Sequence, residues 1–117
     1  MNPVEKQRLV IDQLYHLMVE SAETGFDTAT CRFEYYAEED GSRAVDTAFE
    51  YELNGSKHSK HLNYRQAREE RPIGLVPKLH QLMKEHTGGD WQAFTLSIEE
   101  NGQVKTKFEY SDENPSV

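Results

Sequence analysis

The stretch that decides the fold is AVDTAFEYEL, from Ala44 to Leu53. Its side chains alternate, and one set consists of Val45, Thr47, Phe49, Tyr51 and Leu53. The intervening set is acidic or small and consists of Asp46, Ala48, Glu50 and Glu52. A period of two residues is the signature of a β-strand with one buried face. The stretch therefore predicts a strand that turns its aromatic side toward a core and its acidic side away from it.

Two neighbouring stretches predict the other strands of a three-strand meander. ATCRFEYY (29–36) alternates in the same way, whereas SKHSKHLNY (56–64) is polar and typical of a sheet edge. Asn54-Gly55 suits a two-residue hairpin turn, which would place Leu62 opposite Thr47 and Tyr64 opposite Val45. A three-residue loop, 39–41, keeps the apolar faces of the first two strands together. It pairs the residues Tyr35 with Val45, Phe33 with Thr47, Cys31 with Phe49 and Glu34 with Asp46.

A second hairpin is predicted at the C-terminal end, from FTLSI (94–98) and QVKTKFEY (103–110). A two-residue turn would set Ile98 against Lys105, so a three-residue loop is favoured, with Ile98 opposite Val104 and Phe94 opposite Phe108. The tripeptide FEY occurs three times in the chain, each time in a predicted strand. We interpret it as a strand pattern in which Phe and Tyr face the core and Glu faces away.

One helix is predicted before the meander in the chain and another after it. Residues 3–23 carry an amphipathic stripe, with Asn2 as N-cap, Pro3 in the first turn and Gly25 as the terminating residue. GLVPKLHQLMKEH (74–86) predicts a second helix ended by Gly88-Gly89, and YRQAREE (64–70) a short helical turn before Pro72. The predicted fold is a single α+β domain over 1–117, with helices packed on one face of an antiparallel sheet of about five strands. We expect residues 110–117 to form a frayed tail, and the strand order stays open.

Charge and cysteine content restrict the class of protein. Lys and Arg total 13 against 21 Asp and Glu, a net charge of −8. Such a surface repels nucleic acid and anionic membranes and attracts a basic partner, although simple solubility is an equally good explanation. The single cysteine, Cys31, excludes an intrachain disulfide and favours a reducing compartment. The N-terminal sequence has no signal-peptide pattern, so we expect a cytoplasmic protein. The polar third strand offers no strong dimerisation edge, so we expect a monomer or a weak dimer.

The outward side of the first two strands is the candidate partner-binding surface. Glu34 and Asp46 would face each other there, and Glu50 and Glu52 would extend the acidic row beside an exposed Tyr36. Such a face is suited to protein docking, and it is equally consistent with a solvated surface that deters aggregation. Trp91 is a further candidate, as an anchor for a partner, because it is out of phase with Phe94 and the following strand residues.

Residues for catalysis or metal binding are not arranged in any recognised pattern. Alternation places Cys31 on the core face, and His58 and His61 fall on opposite faces of a strand, so neither a nucleophile nor a metal site is predicted. We expect no enzyme activity and no cofactor. Basic residues in the middle of the chain alternate with Glu69 and Glu70, which argues against nucleic-acid binding. These basic residues are Lys57, Lys60, Arg65, Arg68 and Arg71.

The chain resembles the YezG-like immunity (antitoxin) proteins of bacterial polymorphic toxin systems. DWQAFTLSIEENGQVKTKFEYSD (90–112) carries most of the resemblance and CRFEYYAEEDG (31–41) the rest, whereas TGFDTAT (24–30) replaces an expected proline and tryptophan. The resemblance implies stoichiometric binding of a cognate toxin, often a basic nuclease, in the cytosol. The alternative hypothesis is a small-molecule-binding or regulatory domain with a pocket between helix and sheet, for which six tyrosines would supply polar groups.

Overall fold

The fold described here comes from a computed structural model, which describes residues 2–63 and 70–110. In these ranges the elements are α1 (Pro3–Ser21), β1 (Thr28–Ala37), β2 (Arg43–Leu53), β3 (Ser56–Lys60), α2 (Pro72–Thr87), β4 (Trp91–Ile98) and β5 (Val104–Tyr110). The order and the single antiparallel sheet confirm the predicted α+β fold. The predicted helical turn falls almost wholly in 64–69, outside the described residues. Of the predicted frayed tail, 110–117, Tyr110 is instead the last residue of β5 and pairs with Trp91, and 111–117 lie outside the described residues.

The strand order is β3-β2-β1-β4-β5, so the C-terminal hairpin lies against the first strand of the meander. Phe33 of β1 pairs with Phe94 of β4, and Cys31 pairs with Leu96. The rings of Phe33 and Phe94 stack with their centroids 5.0 Å apart. This docking of β4 places β1 at the centre of the sheet and makes β3 and β5 the two edges.

The predicted registers of the main hairpins are confirmed. Glu34 pairs with Asp46 across β1 and β2, and Ile98 pairs with Val104 across β4 and β5. Asn54 and Gly55 both have positive φ, as a tight two-residue hairpin turn requires. The pairing predicted for Leu62 is absent from the ladder of the described residues because β3 ends at Lys60, but the Leu62 side chain is buried. The predicted partner Tyr64 lies outside the described residues.

Both described helices cover the same side of the sheet. α1 contributes Val10, Leu14, Leu17 and Met18 to the core, and α2 contributes Leu75, Val76 and Leu79. They pack on Phe33, Phe49 and Phe94, which are fully or almost fully buried. Burying one such side chain stabilises the fold by roughly 1.5–3 kcal/mol. Neither described helix has the length and hydropathy to cross a membrane.

The first helix is shorter than the sequence predicts. It ends at Ser21, and the capping residue is Ala22 in an extended conformation, so the prediction of a Gly25 cap is wrong. The Ser21 hydroxyl donates to the Leu17 carbonyl at 2.7 Å and accepts from the Asn63 N–H at 2.8 Å. These bonds tie the helix end to the segment after β3, and the chain then turns toward β1.

Candidate protein-binding face

The side of the sheet away from the helices, called here the outer face, carries the predicted partner-binding residues. On β1 it presents Arg32, Glu34 and Tyr36, because their neighbours Cys31, Phe33 and Tyr35 point toward the helices. On β2 it presents Asp46, Glu50 and Glu52, because Phe49 and Tyr51 point toward the core. Each of these outer side chains is exposed or half-buried, so no described element covers them.

The β1–β2 register gathers four carboxylates into one row, called here the acidic strip: Glu34, Asp46, Glu50 and Glu52. Glu34 lies directly opposite Asp46, while Glu50 and Glu52 follow along β2 opposite Thr30 and Thr28. The predicted positions of these residues are therefore confirmed. Carboxylates this close repel one another unless cations or hydrogen-bond donors compensate them.

Arg32 compensates one end of the acidic strip. Its Nη1 donates to Glu34 Oε1 at 3.0 Å, while Nε and Nη2 bind the two carboxylate oxygens of Glu109 at 2.9 and 3.0 Å. The guanidinium thus joins β1 to β5, and the buried Ala93 of β4 lies between the strands that it links. This arrangement holds the pKa of Glu109 below its usual value, mainly through the hydrogen bonds from Arg32. Arg32 was not predicted as a site residue from the sequence, although its two-residue offset from Glu34 places both on one face.

Tyr36 completes the compensation at the same end. Its side chain is 38% exposed and lies beside the carboxylates of Glu34 and Asp46. Hydrogen bonding to Glu34, partial desolvation and the charges of both carboxylates raise the pKa of the Tyr36 hydroxyl, so it stays protonated at neutral pH. At this end of the acidic strip the Glu34 carboxylate is therefore already engaged by Arg32 and Tyr36.

The other end of the acidic strip is less compensated. Lys57 faces Glu52 across β2 and β3, yet the contact within ion-pair distance joins Lys57 Nζ to Glu50 Oε1 at 3.9 Å. Within the described part of the chain Glu52 forms no ion pair. Asp46 likewise forms no ion pair among the described residues, so Asp46 and Glu52 are the carboxylates of the acidic strip without a cation partner there, and Glu50 has only the long contact to Lys57.

Trp91 does not belong to the outer face. The expectation of an exposed anchor rested on its being out of phase with Phe94, but a β-bulge between Trp91 and Ala93 restores the phase. Trp91 is 1% exposed and packs edge-to-face on Phe94 at a centroid distance of 5.1 Å. The prediction that Trp91 is an exposed anchor is wrong, because the extra residue Gln92 allows the indole to enter the core.

A groove lies on the helix side of the sheet, where β1 ends and β4 begins beside α2. Its volume is about 730 Å³, and its lining includes the rings of Tyr35, His80 and Trp91. The His80 ring lies 4.8 Å from Tyr35 and 5.0 Å from Trp91, and its Nε2 is 2.7 Å from Asp90 Oδ1. Sequence analysis proposed a pocket between helix and sheet only in general terms, because these residues come from three separate elements.

Cys31 has the environment of a structural thiol. It is fully buried at the centre of the sheet, and burial raises its pKa to about 12. The thiolate is therefore negligibly populated at neutral pH. In the ranges that the structure describes, no three His, Cys, Asp or Glu side chains converge as metal ligands would.

Comparison with known proteins gives one partial relationship. Over 60 residues the chain is 48% identical to a protein of Stenotrophomonas maltophilia named "Chorionicgonadotropic hormone-like protein". The aligned stretch is 51% of this chain and 14% of the relative, so the chain matches a small part of a longer protein. No family model matches the sequence.

Proposed function

We propose that this protein is an immunity protein that binds a basic toxin domain through its outer face and blocks it stoichiometrically. The observation that carries the proposal is the acidic strip on a sheet face that no described element covers. The resemblance of 90–112 and 31–41 to YezG-like immunity proteins supports the same function. Binding would take place in the cytoplasm, where a toxin must be neutralised before its secretion.

Electrostatics supports a cationic partner. The net charge of −8 attracts a basic protein from a distance, and complementary charge raises association rates more than it raises affinity. The exposed Tyr36 and the small side chains of Ala44 and Ala48 give the same face a flat contact surface beside the carboxylates. A nuclease domain, whose substrate is a polyanion, has the positive surface that this face would complement.

The test uses the basic C-terminal domain of a secreted protein encoded beside this chain. Co-expression with that domain should protect bacterial cells, and the purified proteins should form a 1:1 complex. The variant Glu50→Lys/Glu52→Lys should associate about tenfold more slowly at low salt, since it reverses two neighbouring carboxylates of the acidic strip. Glu34 is left unchanged because Arg32 holds it in place.

The matched control is Asp12→Lys/Glu20→Lys, which changes the net charge equally on exposed positions of α1, on the other side of the sheet. It should associate almost as fast as the wild type. Equal slowing by both variants would show that overall charge, and not the outer face, guides the encounter. A wild-type protein that neither protects cells nor binds the domain would refute the immunity function.

A second candidate function is the binding of a small molecule, and the groove beside α2 favours it. Its volume lies in the usual range of about 300–1,000 Å³ for ligand sites, and its lining combines rings with polar groups. The groove and the outer face are on opposite sides of the sheet. The two functions can therefore be tested separately, with variants that affect one side only.

A further inference from the structure

Two cations, Arg43 and Lys84, and two acids, Glu85 and Asp90, line the groove. Asp90 accepts from His80 at 2.7 Å and lies 3.9 Å from Lys84 Nζ, and Glu85 accepts from the amide of Gln81 at 3.2 Å. Arg43, which also lines the groove, forms no ion pair with any described residue. Arg43 is therefore available to an anionic ligand, while Glu85 is the groove carboxylate without an ion pair among the described residues.

A smaller depression continues the groove and adds to the positive charge. Its volume is about 410 Å³, it shares Arg43, Pro77 and Gln81 with the groove, and its lining includes Lys78. Lys78 also forms no ion pair within the described ranges. Two cations without carboxylate partners thus line one continuous surface beside α2. The pattern favours an anionic ligand over a cationic one.

The aromatic side chains that line the groove indicate which ring system the ligand carries. Tyr35, His80 and Trp91 pack against one another with inclined rings, and Pro77 adds an apolar surface from α2. Inclined aromatic walls suit a flat ring, which gains edge-to-face and offset contacts with them. Arg43 could bind a carboxylate with two parallel N–H groups at the same time.

We propose that the groove binds a small, flat aromatic carboxylate, with its ring against Tyr35 and His80 and its acid group on Arg43. The inference rests on the second candidate function, small-molecule binding, and specifies its ligand class. It does not depend on the outer face, because the residues that line the groove lie on the opposite side of the sheet or in α2.

The probe is 2-naphthoate, and the reporter is Trp91 itself. Because the chain has one tryptophan, a ¹H–¹⁵N spectrum shows one indole N–H signal. Titration with 2-naphthoate should shift this signal saturably, with a Kd of about 1 mM or tighter for a ligand of this size. The neutral analogue 2-naphthamide should bind at least about fivefold more weakly, since it cannot form an ion pair with Arg43.

Two variants separate the groove from the rest of the surface. Arg43→Gln should weaken 2-naphthoate binding about tenfold while leaving 2-naphthamide binding unchanged. Lys105→Gln, a matched loss of one cation on β5, should leave both affinities unchanged. The backbone signals of each variant establish that it is folded, so a loss of binding can be assigned to the side chain.

Each outcome bears on a defined part of the inference. Equal binding of 2-naphthoate and 2-naphthamide, or an unchanged affinity in Arg43→Gln, overturns the assignment of a carboxylate ligand bound to Arg43. The proposal of small-molecule binding would stand in that case. No saturable shift with either probe overturns the aromatic ligand and, with it, the second candidate function. A 1:1 complex with a basic toxin domain would be unaffected by any of these results.

Discussion

Arg32 determines how much of the acidic strip can serve a partner. Without it, Glu34 and Asp46 would face each other as like charges across two strands, an arrangement that costs up to about 1 kcal/mol. With it, Glu34 is bound at 3.0 Å and Glu109 is bound by two parallel hydrogen bonds. The same charge that stabilises this end of the face also reduces its attraction for an external cation.

The Arg32 contacts predict a pH-dependent contribution to stability. Because Arg32 lowers the pKa of Glu109 below 4.5 in the folded state, its contribution is present above about pH 4.5 and is lost as the pH falls through the folded pKa. Arg32→Gln should therefore lower the free energy of unfolding at pH 7 by up to about 1 kcal/mol, a modest loss because both side chains are more than one third exposed. Urea denaturation at pH 7 and pH 3 measures the difference.

Arg32→Lys is the matched variant for this prediction. It keeps the positive charge but cannot form the paired bonds to Glu109, so its loss at pH 7 should be intermediate. If Arg32→Gln cost as much at pH 3 as at pH 7, the contribution of Arg32 would come from its packed aliphatic chain and not from the carboxylates.

At the scale of the element, the β-bulge at the start of β4 decides which way Trp91 points. Trp91 pairs with Tyr110 and Ala93 pairs with Glu109, so Gln92 is an extra residue with no counterpart on β5. Strict alternation from Phe94 would send Trp91 to the outer face. One extra residue reverses that direction and places the indole against Phe94 and His80.

Deletion of Gln92 should therefore leave Trp91 buried. The shortened strand would alternate regularly, with Ala93 facing outward and Trp91, directly before it, facing the core. We expect destabilisation of no more than about 2 kcal/mol and tryptophan emission as blue-shifted as in the wild type. Gln92→Ala, which keeps the bulge, is the control. Emission at the wavelength of solvated tryptophan in the deletion variant would contradict this account of the strand.

At the scale of the whole molecule, the sheet separates two surfaces of different chemistry. The acidic strip lies on the outer face, and the groove with Arg43 and Trp91 lies on the helix side. A sheet and its side chains span roughly 10 Å, which is comparable to the Debye length of about 8 Å at physiological salt. Charges on one side are thus largely screened from a ligand on the other.

This separation predicts that changes on the outer face do not alter the groove. Glu50→Lys/Glu52→Lys should bind 2-naphthoate at 0.15 M salt with a Kd within about twofold of the wild-type value. Isothermal titration at 0.15 M and at 0.01 M salt measures it. A tighter Kd only at low salt would reflect long-range charge, whereas a large change at both salt concentrations would mean that the two surfaces are coupled through the sheet.

Much of the fold follows from local patterns in the sequence. The Glu34–Asp46 and Ile98–Val104 pairings were predictable because a slip of one residue would bury charged side chains. The outward direction of Glu50 follows from Phe49 by alternation alone. Trp91 was not predictable in this way, because a bulge leaves no distinct sequence pattern. The end of α1 at Ser21 was also missed; there Ser21 accepts a hydrogen bond from Asn63, 42 residues further along the chain, a contact that local periodicity does not reveal.

The sequence by itself determined the elements, the hairpin registers and the acidic side of β2, because each depends on neighbours in the chain and on hydrophobic alternation. Only the tertiary structure decided that β4 pairs with β1, that Arg32 reaches Glu109, and that Trp91 meets His80 beside α2. These contacts join residues that are distant in the chain, and local periodicity carries no information about which distant segments meet. The physical reason is that long-range packing selects among the partners that alternation leaves equally suitable.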